Sequence, residues 1–239
     1  FEGITNACKA LNTPVTGGNV SLYNDTKLSN NTVIPIHPTP VIGMVGILEN
    51  INNVCRKSWL NADDQIWMIG LPLEIKDNRI SLAASSYLEY IHGLKTGRPP
   101  VIDLYLEKEV QSFLRTLIKQ RIINSAHDIG DGGLGVAIAE CCISSGFGAN
   151  ITLPSSNARL DRLLFAEGGA RVLISCSDDQ SLELKKYYKN TSLKDSNSFS
   201  ICYLGSVNNQ NKLSILQSNN LIVDVNILDL IDRYKNTIY

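Results

Sequence analysis

Ala126-His127-Asp128-Ile129-Gly130-Asp131-Gly132-Gly133-Leu134 runs from an apolar segment through two acids and three glycines into a second apolar pattern. Ile122 to His127 reads as a strand and Asp128 to Gly133 as a glycine-rich turn. Leu134 to Ser144 reads as a helix with Leu134, Ala137, Ile138 and Cys141 facing inward. Strand, tight turn and helix in succession describe a sheet covered by helices. The elements on either side agree. Upstream, Gln65 to Leu71 is a strand and Ala83 to His92 a helix. Asp103 then caps a long helix that turns Leu106, Val110, Phe113, Leu117 and Ile118 to one side. Downstream, Arg171 to Ser175 is a buried strand, and Asp178 or Asp179 caps a helix reaching about Tyr188. Phe199 to Gly205, Lys212 to Leu216 and Leu221 to Val225 are short strands before a closing helix over Ile227 to Tyr234. Helices and strands alternate irregularly, with strands clustered late, which gives an α+β layer fold.

Toward the N-terminus the character differs. Residues 3 to 11 have helical spacing, with Ile4, Cys8 and Leu11 on one face, and Asn19 to Tyr23 begins a strand. Asn24 to Asn31 is polar and reads as a loop, whereas Pro40 to Leu48 is apolar on both faces and reads as a buried strand. The polar, Asn-rich stretch from Glu49 to Asp64 places a domain boundary near residue 60. The chain lacks an initiating Met and opens inside a helical pattern, which suggests a piece of something longer.

Composition narrows the function classes. Twenty-two basic residues against 23 acidic ones give a formal net charge of −1, so the concentrated basic surface that nucleic acid demands is absent. No apolar run approaches the roughly 20 residues a membrane helix needs, and no signal peptide is visible. These observations point to a soluble, cytoplasmic protein. The six cysteines include no C-x-x-C pair and read as reduced, small hydrophobes. His37, His92 and His127 have no recognisable catalytic or metal-ligating spacing; His127 either orients its neighbouring aspartates or is a satisfied structural histidine.

Three segments could carry chemistry. In Thr16-Gly17-Gly18-Asn19-Val20-Ser21 the paired glycines permit close backbone approach, and their amides could form an anion-binding nest. Asn19 offers a neutral oxygen acceptable to Mg²⁺, and Ser21 a hydroxyl on the same side of an extended segment. A plain Gly-Gly turn is the competing account. In the Asp128–Gly133 turn, Asp128 and Asp131 either cap the following helix or hold a ligand. In Leu164-Phe165-Ala166-Glu167-Gly168-Gly169-Ala170-Arg171, Glu167 either binds a ligand or pairs with Arg171.

The run Thr13 to Asn24, followed by Ile36-His37-Pro38-Thr39-Pro40-Val41-Ile42-Gly43-Met44-Val45-Gly46, closely resembles phosphoribosylformylglycinamidine synthase. The Asp128 turn resembles that family's H-D-I-S-D-G-G-L element, shared with the aminoimidazole ribonucleotide synthetase superfamily, with Gly130 in place of Ser. Residues 164 to 171 resemble L-F-G-E-S-x-x-R with Gly168 in place of Ser, and Leu82 to Leu88 departs from L-G-G-S-E-Y-L. The resemblance extends from about residue 3 to about residue 205 and implies a PurM-like fold. Residues 1–60 would end a second N-terminal-type α+β domain, and 61–239 would form the C-terminal-type α/β sandwich domain.

It also implies a reaction, the ATP-dependent conversion of formylglycinamide ribonucleotide to formylglycinamidine ribonucleotide. ATP phosphorylates the amide oxygen, and glutamine-derived ammonia displaces phosphate. By resemblance Gly18, beside Gly17, contacts ATP, Asn19 coordinates Mg²⁺ and Ser21 touches the substrate. Asp128, Asp131 and Glu167 lie at an auxiliary nucleotide or metal site. The catalytic residues belong to a first half of the synthetase, which is a required partner, together with a glutaminase subunit or domain and a small bridging subunit. The alternatives are a non-catalytic nucleotide-binding scaffold and another PurM-like ATP-dependent synthetase.

Overall fold

The computed structural model describes residues 1–19, 25–37, 39–74 and 76–236. The chain divides into two units, Phe1–Ile51 and Asn52–Tyr239.

The first unit contains the helix α1 (Glu2–Leu11) and a two-stranded antiparallel ribbon of β1 (Asp25–Lys27) and β2 (Val33–Pro35). Part of the stretch expected to be loop is thus paired strand. The larger correction concerns Pro40 to Leu48, which is an exposed, irregular segment rather than a buried strand. Val41, Val45 and Ile47 are at least nine-tenths exposed. A strand apolar on both faces is buried only between two covering layers. One helix and one ribbon supply neither, and no described residue of this unit is buried.

The second unit holds β3 (Gln65–Gly70), α2 (Ser86–His92), α3 (Leu104–Lys119), β4 (Ser125–Asp128) and α4 (Gly133–Ser145). Then follow β5 (Gly148–Leu153), α5 (Leu160–Phe165), β6 (Arg171–Cys176), α6 (Asp178–Lys189), β7 (Ser200–Asn208), β8 (Lys212–Gln217), β9 (Asn220–Asn226) and α7 (Ile227–Asn236). The strands form one sheet in the order β4-β6-β3-β7-β5-β8-β9. Every pairing is antiparallel except β5 with β8.

Side-chain alternation divides the core between the two faces of this sheet. Ile66, Met68, Leu173, Ala149 and Ile151 pack with α4 and α5 on one face. Trp67, Ile69, Val172 and Ile174 pack with α3 and α6 on the other. Central strands covered on both sides read as continuous apolar runs, as Arg171 to Ser175 does. β5 has only one covered face, so Asn150 and Thr152 are exposed while Ala149, Ile151 and Leu153 are buried. α3 begins as expected, with the Asp103 carboxylate accepting from Leu106 N at 3.0 Å. α6 does not: Ser177 is its cap and forms a capping box with Gln180, leaving Asp178 and Asp179 in the first turn.

Strand direction gathers the loops. β4 and β3 are each antiparallel to β6, β3 and β5 are each antiparallel to β7, and β5 is parallel to β8. These four strands therefore run the same way, and the segments after them emerge at one end of the sheet. Residues 167–170, just before the opposed strand β6, lie at that same end.

Candidate functional site

Thr16 to Asn19 belongs to the first unit. Gly17, Gly18 and Asn19 are exposed and irregular, and a Cβ added at either glycine would meet none of the described residues within 4 Å. Ser21 lies outside the described residues.

The Asp128–Gly133 turn forms at the sheet end of the second unit. Ile129, 2% exposed, anchors it, and its amide donates to Arg171 O at 3.1 Å. Gly132 and Gly133 take φ of 78° and 70°. A Cβ on Gly133 would sit 2.8 Å from the carbonyl oxygens of Leu164 and Ala166, so the turn needs glycine on two grounds. Neither aspartate caps α4: its N-cap is Gly132, with no side-chain cap bond. The capping expected of Asp128 and Asp131 is therefore replaced. The Asp128 side chain is 85% exposed, with one oxygen 3.2 Å from His127 Nδ1. His127 Nε2 meets Glu140 Oε2 at 2.6 Å, so this imidazole bridges β4 and α4.

The acid that serves the turn comes from elsewhere. Glu167 Oε1 accepts from Gly132 N and from Ser86 N, each at 2.8 Å. One carboxylate oxygen thus fastens the starts of α2 and α4, where helix amides lack partners of their own. The Glu167 and Ser81 backbones also exchange two hydrogen bonds of 2.9 Å. The Glu167–Arg171 ion pair, one of the two readings of this segment, is not formed among the described residues. Arg171 is 3% exposed and donates from Nη2 to Ala166 O at 2.7 Å, while its Nε has no partner among the described residues. Burial, reinforced by Arg162, lowers its pKa to about 10, which leaves it charged at neutral pH.

Gly168, where the resembling motif has Ser, lies against the Arg79 backbone: a Cβ would overlap the Arg79 carbonyl oxygen. The missing hydroxyl is thus a packing requirement in this chain. In Leu82 to Leu88, Ser85 caps α2 by accepting from Leu88 N at 3.3 Å.

No three His, Cys, Asp or Glu side chains among the described residues lie close enough to hold a metal ion. Asn19 can supply one oxygen, and Asp128, Asp131 and Glu167 are not gathered into a ligand set. Cys141, Cys142 and Cys176 are buried, and burial raises the Cys142 and Cys176 thiols to about 11 and about 12. They are neutral packing groups near pH 7. No described helix is long and apolar enough to cross a membrane. No local pattern signalled the Glu167 clasp, because its partners are backbone amides 81 and 35 positions away.

The family "AIR synthase related protein, C-terminal domain" matches residues 61–212. The phosphoribosylformylglycinamidine synthase subunit PurL of Prochlorococcus marinus (strain NATL1A) is 76% identical over 241 residues, covering 100% of this chain. The chain spans about 30% of that protein's length. Among solved structures, Thermotoga maritima PurL complexed with FGAR has a TM-score of 0.68 at 16% identity, over 96% of this chain and 36% of that one. The same protein complexed with ATP gives 0.65 at 15% identity, over 96% and 34%. At such identities the likeness concerns the fold, which is that of the PurM-like proteins.

Proposed function

The chain belongs to the AIR synthase related protein family through its C-terminal domain, and from that premise we propose that it is the C-terminal segment of a phosphoribosylformylglycinamidine synthase. The intact ligase would convert formylglycinamide ribonucleotide, ATP and glutamine-derived ammonia to formylglycinamidine ribonucleotide, ADP and phosphate. The observation that carries this reading is 76% identity to a PurL subunit along the whole chain.

The residues suit a share of that chemistry. Phosphoryl transfer depends on positioning and charge stabilisation. Gly17 and Gly18 offer bare backbone to ATP phosphates, Asn19 one oxygen to Mg²⁺, and Ser21 a hydroxyl to the substrate amide. The remaining metal ligands and the catalytic residues would come from the rest of the longer protein, and ammonia from a glutaminase subunit or domain joined through a small bridging subunit. Residues 1–60 would complete a second N-terminal-type domain of that protein, and 61–239 would be its C-terminal-type partner. The complex would be cytoplasmic.

The test uses the intact synthetase. Asn19→Ala should lower formylglycinamidine formation by about 10²–10³-fold, the loss typical of one electrostatic group. It should also shift the Mg²⁺ dependence to higher concentration. An unchanged rate with unchanged Mg²⁺ dependence would remove Asn19 from the site, and an intact protein without synthase activity would remove the function itself.

A further inference from the structure

The resemblance places a nucleotide or metal ion at Asp128, Asp131 and Glu167, and the groups present there do not fit one. A phosphate binds at a helix start through backbone amides that lack partners. Here those amides are already paired. The Glu167 carboxylate takes Gly132 N and Ser86 N, Gly130 O takes Gly133 N at 3.0 Å, and the Ser85 hydroxyl takes Leu88 N.

The surroundings exclude a ligand as well. The connector after α5 lies along the first turn of α4. Its Leu164 and Ala166 carbonyl oxygens stand 2.8 Å from the position of a Gly133 Cβ, and the Phe165 ring 3.2 Å from one on Gly135. A phosphate oxygen approaching there would meet carbonyl oxygens. Tyr87 of α2 stacks on Phe165, with ring centroids 5.0 Å apart and planes 5° apart, and His92 meets the Tyr87 ring edge-on at 5.2 Å. These rings hold α2 to α5 and to each other. The charge also has the wrong sign, since Asp128 and Asp131 are exposed acids beside the turn. Among the described residues no set of three acids, cysteines or histidines is gathered to hold a metal ion that would reverse it. Where the resembling motifs have Ser, Gly130 and Gly168 offer no hydroxyl.

We propose that Glu167 is a built-in anion. Its carboxylate stands where a ligand phosphate would stand, seals the junction of α2 and α4, and leaves this end of the sheet without a nucleotide. A junction closed by a ligand follows the ligand's concentration, whereas one closed by its own carboxylate does not.

Melting temperatures of the 239-residue chain and its variants test this. Glu167→Ala opens a carboxylate-sized space between the two amides and should melt at least about 2 °C lower. Sodium acetate at about 100 mM, compared with equal sodium chloride, should restore at least half of that loss by supplying the missing anion. The unsubstituted chain and Glu167→Gln, whose side chains fill the space, should show no such rise. Acetate that fails to restore Glu167→Ala, or that raises Glu167→Gln equally, would overturn the proposal. So would a rise with Mg²⁺-ADP at about 1 mM that Asp131→Ala abolishes, a measurement that stands even if Glu167→Ala does not fold. A Mg²⁺-ADP response that survives Asp131→Ala and is lost in Asn19→Ala belongs to the first unit and agrees with the proposal. None of these outcomes depends on synthase activity.

Discussion

Ala84 holds φ of 55°, a left-handed conformation that costs an L-residue with a Cβ about 1–2 kcal/mol. The resembling motif has glycine in this region, so Ala84→Gly should relieve strain and raise stability by about 0.5–1 kcal/mol after the unfolded-state cost of glycine. Urea unfolding would measure it. Gly133 is the converse: Gly133→Ala adds both a strained φ and a Cβ 2.8 Å from two carbonyl oxygens, and should cost well over about 1 kcal/mol. Gly146, at φ 77° with none of the described residues within 4 Å, should lose only about 1 kcal/mol on the same change. Glu167→Ala removes the acceptor shared by Gly132 N and Ser86 N and should destabilise by about 1–3 kcal/mol. Glu167→Gln keeps a carbonyl oxygen and should fall between. Equal melting temperatures for all three proteins would mean the clasp contributes nothing. The turn and its glycines were legible in sequence; the carboxylate that fastens them was not, because the fold alone brings residues 86, 132 and 167 together.

At the scale of elements, α3 and α4 were readable because their apolar spacing matched the faces they bury. Leu106, Val110, Phe113 and Leu117 are all buried on α3, and Leu134, Ala137, Ile138 and Cys141 on α4. Leu117→Ala, at a site with 0% exposure, should cost about 2–5 kcal/mol, whereas Asp103→Ala should cost about 1 kcal/mol through its lost cap. Thermal unfolding of the two variants would rank them, and reversed ranks would contradict the packing described for α3. β5 and α5 escaped the sequence reading. β5 alternates over only six residues that include Gly and Asn, and α5 is a six-residue helix without a side-chain cap. Pro40 to Leu48 shows the opposite limit, since its apolar pattern describes a strand only where layers exist to cover it.

For the whole molecule, the two units differ in what holds them. The second has buried clusters on both faces of a seven-stranded sheet, while no described residue of the first is buried. Amide exchange should therefore be faster throughout residues 1–51 than in β3, β6 and α4, where protection should approach the global value. Uniform protection across both units would contradict this. The isolated chain should also form no formylglycinamidine ribonucleotide, since it spans about 30% of the relative it resembles; an assay with ammonia, ATP and substrate would check it. By itself the sequence determined the layered α and β class, the inward faces of α3 and α4, the glycine turn and the family, because each rests on local spacing or contiguous motifs. Tertiary structure alone decided the strand order, the Glu167 clasp and the burial of Arg171 without an ion pair among the described residues. Those depend on groups far apart in the chain that meet only because β3, β4, β5 and β8 run the same way.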